Sequence, residues 1–154
     1  MYEPLKYPDD WPEPSRLELL LRWIPIAGWI AGGLMERART EPIAEQLYSQ
    51  LKARREEHTH RWQDQLRRRI ANVLIDSCVE ACGWPNSHFT PDDSFGVMIE
   101  ARTGDGCEWD AMFRIEKSLG IKLTSDEQRS LIELTLGDAV ETLASRLEAA
   151  VLRD

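Results

Sequence analysis

Three hydroxyl-x-x-acid signatures, at Ser15–Glu18, Thr124–Glu127 and Thr135–Asp138, constrain this chain more than any other feature. In each, the hydroxyl can accept from the backbone N–H three residues on, satisfying a donor that the first helical turn leaves orphaned. Such a cap predicts a helix where the residues behind it keep a 3.6-residue apolar period. Behind Thr135 they do so closely, through Leu136, Ala139, Val140, Leu143, Leu147, Ala150 and Val151. Behind Thr124 a short helix is expected to about Leu134. Glu108–Leu119 places Trp109, Met112, Phe113, Ile115 and Leu119 on one broad face. No segment alternates as a strand would, and there is no internal repeat, so the expected fold class is all-α.

The N-terminal half is less regular. Met1–Pro14 holds four prolines and four acids and reads as an extended arm. A helix should start at Arg16 behind the Ser15 cap, and its continuation, Leu17 to Met35, is the most hydrophobic stretch of the chain. Pro25, Gly28, Gly32 and Gly33 should kink or weaken it. Thr40 and Pro42 look like a fresh helix start. From Ile43 helix formers run almost to Cys82. They form either one long helix with a solvated middle or two helices broken near His58. Gly83-Trp84-Pro85 ends the run. The implied organisation is an arm over 1–15, a helical extension over 16–62 and a helical bundle over 63–154.

Charge is uneven along this 154-residue chain of net charge −8. Residues 36–72 carry 9 basic and 6 acidic side chains, whereas residues 73–154 carry 7 and 16. An acidic C-terminal half repels phosphates, which argues against nucleic acid and for a protein partner with a basic surface. Three cysteines, an odd number, with no secretory-type leader point to a reducing, cytoplasmic setting rather than a disulfide framework.

Three segments in the C-terminal half resemble the acyl carrier proteins. Thr90-Pro91-Asp92-Asp93-Ser94-Phe95 resembles that family's loop ahead of its modification site. Ile115-Glu116-Lys117-Ser118-Leu119-Gly120-Ile121-Lys122-Leu123 is similar to its LEEKFGIEI run. Thr135-Leu136-Gly137-Asp138-Ala139-Val140 is similar to the TVGDLV start of its last helix. The resemblance implies a four-helix bundle with helices near 64–82, 106–119, 125–133 and 136–150. It also implies a serine at the start of the second helix, esterified to 4′-phosphopantetheine. Counting back from Glu116, that position falls on Asp105, or on Gly106 with one deletion, and neither has a hydroxyl. The expectation is therefore a carrier-like domain with no prosthetic group and no catalytic residue, serving as an interaction module. Its second helix is acidic, and the candidate contact residues are Asp105, Glu108, Asp110 and Glu116.

Each candidate also has a plainer reading. Asp105 with Glu108 can cap the second helix, and a solvated face explains Glu108, Asp110 and Glu116 almost as well. Cys107 lies beside the missing serine, so an acyl-transfer accessory holding a thioester there, or binding acyl chains non-covalently, is the alternative. Acidic neighbours oppose a low thiol pKa, and packing is the plainer role. Cys78 and Cys82, four apart, read as core; His58 and His60 diverge; no metal set emerges. Arg67-Arg68-Arg69 reads as an exposed helix side. Trp23 to Met35 is 13 residues without a charge, short of the roughly 20 that span a bilayer. Residues 16–38 are left as a packed helix, a homodimer seam or a peripheral membrane contact, the last making the protein an anchored adaptor.

Overall fold

A computed structural model of the chain describes residues 3–5, 7, 13–21, 23–24, 27–55, 62, 64–100 and 106–151. Among these the chain is helical, with one isolated antiparallel bridge, Ser94 to Thr135, and no strand. The helices are α1 (Arg16–Leu21), α2 (Ala27–Ala53), α3 (Gln65–Cys82), α4 (Phe95–Glu100), α5 (Cys107–Leu119), α6 (Ser125–Ile132) and α7 (Leu136–Val151).

The caps place the starts of these helices. Ser15 Oγ accepts from Glu18 N at 3.2 Å, opening α1. Asp64 accepts from Arg67 N at 2.9 Å and caps α3, which Gly83 closes by donating to Val79 O. Thr124 and Glu127 form the complete reciprocal box at α6. Thr135 Oγ1 accepts from Asp138 N at 3.1 Å as α7 begins.

Two expectations in the N-terminal half are corrected, and one pair of alternatives is decided. The apolar stretch is not one kinked helix: α1 stops at Leu21 and α2 starts at Ala27. At Gly28 any Cβ would lie 1.7 Å from Leu21 O, so the end of α1 presses directly on the backbone of α2. Thr40 and Pro42 do not start a helix, because α2 runs through both. Thr40 Oγ1 instead donates back to Glu36 O at 2.9 Å. An interior proline costs about 3 kcal/mol. Buried Ile43, Ala44, Leu47 and Leu51 just beyond it, at roughly 1.5–3 kcal/mol for each large side chain, offset that cost. Finally, α2 ends at Ala53 and α3 begins at Gln65, as in the two-helix alternative; His58 and His60 lie outside the described residues.

The centre of the molecule is α3. It packs on α5, α7 and α4, burying Ile70, Ala71, Leu74, Ile75, Cys78 and Cys82. α5 contributes Ala111, Met112, Ile115 and Leu119, and α7 contributes Leu136, Ala139, Val140, Leu143 and Ala144. Arg67 fixes α3 to α7 through Glu141 at 2.8 Å and Glu148 at 3.3 Å. Arg68 and Arg69 are exposed. The same core includes Leu5, Ile43, Leu47 and Leu51, so the arm and α2 share the interior of the 63–154 bundle.

That sharing is secured by an ion pair the sequence reading did not single out. Arg54 and Asp93, both buried, meet in a two-pronged contact: Nη1 to Oδ2 at 2.7 Å and Nη2 to Oδ1 at 3.0 Å. Asp93 also accepts from Leu5 N at 2.7 Å and Thr90 N at 2.6 Å, and Arg54 donates to Glu3 O at 2.6 Å. One carboxylate thus joins the arm, the end of α2 and the 84–94 loop. Beside it, the segments Thr90–Phe95 and Thr135–Val140 clasp each other. Leu136 N donates to Asp93 O, and Gly137 N donates to Pro91 O, both at 2.8 Å. A Cβ at Gly137 would stand 3.1 Å from Pro91 O, so a side chain there would push the Pro91 carbonyl back by a few tenths of an ångström.

α4 was expected as loop. Phe95–Glu100 is six residues long, too short to display a helical period, and all but Glu100 are buried.

Candidate functional site

The candidate contact residues sit on or beside α5. The N-cap of this helix is Gly106, in the left-handed region at φ 69°, with no side-chain cap bond. A left-handed cap suits glycine, and it lies one residue past the Asp105 of the expected Asp105–Glu108 capping pair. Asp105 itself lies outside the described residues. Gly106 offers no oxygen for a phosphodiester.

Cys107, the first residue of α5, is buried, and its sulfur donates to Ile99 O at 3.4 Å. Cys82 donates to the same carbonyl at 3.3 Å. The hydrogen bond with Cys107, followed by burial, pushes the Cys82 thiol far above its ordinary value. Burial raises Cys78 likewise. A thioester carrier needs an accessible thiolate, and this cluster favours packed, protonated thiols.

The acids divide into two kinds. Glu116 is turned inward, accepting from Leu123 N at 2.8 Å and from Lys122 Nζ at 3.2 Å. The Leu123 amide first, and the lysine after it, hold its carboxyl below the usual range. It braces the turn between α5 and α6 and is not part of an exposed surface. Asp110 is exposed and pairs with Arg114 at 2.9 Å; Arg114 also reaches Glu80 of α3 at 2.5 Å. Glu108 is half-buried near Glu100, whose pKa is raised by burial and then by the Glu108 charge.

Between α3 and α5 runs a groove of about 640 Å³ lined by Val73, Asp76, Ser77, Glu80, Asp110, Phe113, Arg114, Lys117 and Ser118. Three carboxylates and two cations line it, with Val73 and Phe113 as its apolar side chains. Beside it stand two residues expected in the core. Trp109 is 70% exposed and Phe113 58%. The helical turn explains the correction. The buried stripe of α5 is centred near Ile115, and Phe113 precedes it by about 200° and Trp109 by about 240° of rotation at roughly 100° per residue. The two aromatics differ from each other by only about 40°, so they form one exposed pair. The sequence signal was present as an apolar face too wide for one neighbour.

Among the described residues, no group of three or more His, Cys, Asp or Glu side chains is placed to hold a metal ion. No family model, curated protein or solved structure matches the chain.

Proposed function

We propose that this chain is a non-catalytic, acyl-carrier-like interaction module that docks a partner helix in the α3–α5 groove. The observation that carries the reading is the paired exposure of Trp109 and Phe113 beside a groove bearing Asp76, Glu80 and Asp110. Large aromatics on a rim are the residue type that dominates binding energy once covered, and water leaves them readily. Carboxylates around them select a partner whose anchors are flanked by lysine or arginine. Agreement between the helix bounds implied by the carrier resemblance and α3, α5, α6 and α7 supports the carrier-like part. The lack of a hydroxyl at Gly106 and the burial of Cys107 support a module without an attached acyl group.

Capture from the native host tests the reading. Proteins retained by the wild-type chain should be lost with the Trp109→Ala/Phe113→Ala double variant and reduced by Asp110→Lys. Identical retention by all three chains would sink it. Coexpression with a phosphopantetheinyl transferase should leave the intact mass unchanged; a gain of the pantetheine arm would return the chain to the true carriers.

A further inference from the structure

Among the described residues, seven of the nine exposed large apolar side chains lie between Leu17 and Leu34, far from the α3–α5 groove in sequence. They are Leu17, Leu19, Leu20, Trp23, Ile24, Ile30 and Leu34, with Trp23 at 87% exposure. Their arrangement depends on how α1 meets α2. Leu21 O abuts Gly28, and Glu18, buried at 2% exposure, pairs with Arg39 at 3.2 Å. The end of α1 thus lies at the start of α2, and its interior lies further along α2, so the two helices are antiparallel. Leu17 and Leu20 sit about 100° and 200° around α1 from Glu18, which faces α2. Ile30 and Leu34 sit about 200° around α2 from Gly28 and Gly32, both buried on the α1 side. Among the described residues, the hairpin end is therefore apolar on its two opposite outer faces, with exposed Trp23 and Ile24 at the turn.

A flat protein surface covers one such face and leaves the other in water. A lipid surface closes around a protruding end from every side. At about 1.5 Å per residue, Leu17 lies within roughly 6 Å of the end of α1, and Leu34 within roughly 11 Å of the start of α2. That depth matches the roughly 5–10 Å by which interfacial helices enter the headgroup and acyl boundary. Beyond it the surface becomes charged, with exposed Arg37, which also pairs with Glu41 at 3.7 Å, one turn past Leu34, and exposed Arg16 at the outer end of α1. Residues 16–39 hold four arginines against two glutamates, +2 in a chain of −8, and one of those glutamates is the buried Glu18. No helix among the described residues is long and apolar enough to cross a membrane.

We infer that the α1–α2 hairpin is a membrane wedge. Its apolar end inserts into one leaflet, and Arg16 and Arg37 meet anionic phospholipid headgroups. This reading is independent of the α3–α5 groove, and either can stand without the other.

Flotation of the full chain with lipid vesicles tests it. The wild-type chain should rise with phosphatidylcholine vesicles containing phosphatidylglycerol. It should rise less with phosphatidylcholine alone. Trp23→Glu/Leu34→Glu should cut the bound fraction at least about tenfold, because each change places a charge where apolar contact is needed. Both positions are solvent-exposed, so unchanged helix content by circular dichroism should accompany the loss. Arg16→Glu/Arg37→Glu should weaken binding to the anionic vesicles only. The inference is overturned if the wild-type chain stays at the bottom of the gradient with both vesicle types, or if the Trp23/Leu34 variant floats equally well. Equal flotation on neutral and anionic vesicles would overturn the headgroup part. Light scattering that shows a dimer dispersed by Trp23→Glu, with no flotation, would assign the surface to a second copy of the chain instead.

Discussion

At the scale of single residues, Asp93 does the most with the least. It is fully buried, and its two oxygens accept from Arg54, Leu5 and Thr90. Removing one member of a buried pair leaves the other charge uncompensated, which typically costs about 3–5 kcal/mol. Asp93→Ala should therefore lower the urea-unfolding free energy by about that amount. It should also speed amide exchange at Leu5, whose N–H loses its acceptor. The three thiols give the contrasting prediction. All are buried, and both Cys78 and Cys82 are pushed well above the ordinary thiol value. Iodoacetamide at mildly alkaline pH should leave the native chain unmodified by intact mass and label three sites after denaturation. Rapid native labelling of Cys107 would revive the thioester alternative. The packed role of Cys78 and Cys82 was legible from their four-residue spacing on an apolar face. The Arg54–Asp93 pair was not, because nothing local marks two charges 39 positions apart as partners.

At the scale of elements, a side-chain cap followed by a clean apolar period placed α6 and α7, whereas the Ser15 cap did not reveal where α1 ends. α6 and α7 start where Thr124 and Thr135 accept from the first turn; Asp64 does the same for α3, a cap that only the structure revealed. Thr124→Ala should cost about 1 kcal/mol, measured by thermal or urea unfolding, because it removes one half of a reciprocal box. The turn between α5 and α6 should also answer to acid. Glu116 and Glu127 both titrate below the ordinary 4.5, the first chiefly through the Leu123 amide and the second chiefly through the Thr124 amide. A lowered carboxylate stabilises the fold above its unfolded value, and that contribution disappears as pH falls through the folded one. The melting temperature should thus drop as pH falls below about 4.5, and Glu116→Gln should flatten part of that dependence. Glu100, raised by burial, works in the opposite sense and loses stability as it ionises on rising pH. Elements without that double signal were misread. Thr40-Pro42 has the look of a start, yet the burial of Ile43, Ala44 and Leu47 carries α2 across it. α4 is six residues long and carries no readable period.

At the scale of the whole molecule, the arm, α2 and the helices α3 to α7 share one interior. A 63–154 fragment should therefore lack the cooperative unfolding of the full chain, since it loses Leu5, Ile43, Leu47 and Leu51 and strands Asp93 without Arg54. A fragment with a full-length urea transition would show instead that the extension is dispensable. By itself the sequence determined the all-α class, the starts of α6 and α7, the stop of α3 at Gly83, and the absence of a hydroxyl at Gly106. Caps, periodicity and residue chemistry are local, and reading them needs no knowledge of neighbours. Only the tertiary structure decided which side of each helix faces inward. It sent Glu116 into a turn, turned Trp109 and Phe113 out beside a groove, and brought Asp93 to Arg54. It also left the α1–α2 end apolar on both outer faces. Those outcomes depend on which helix packs against which, and an apolar side chain becomes core or contact surface only when that neighbour is chosen.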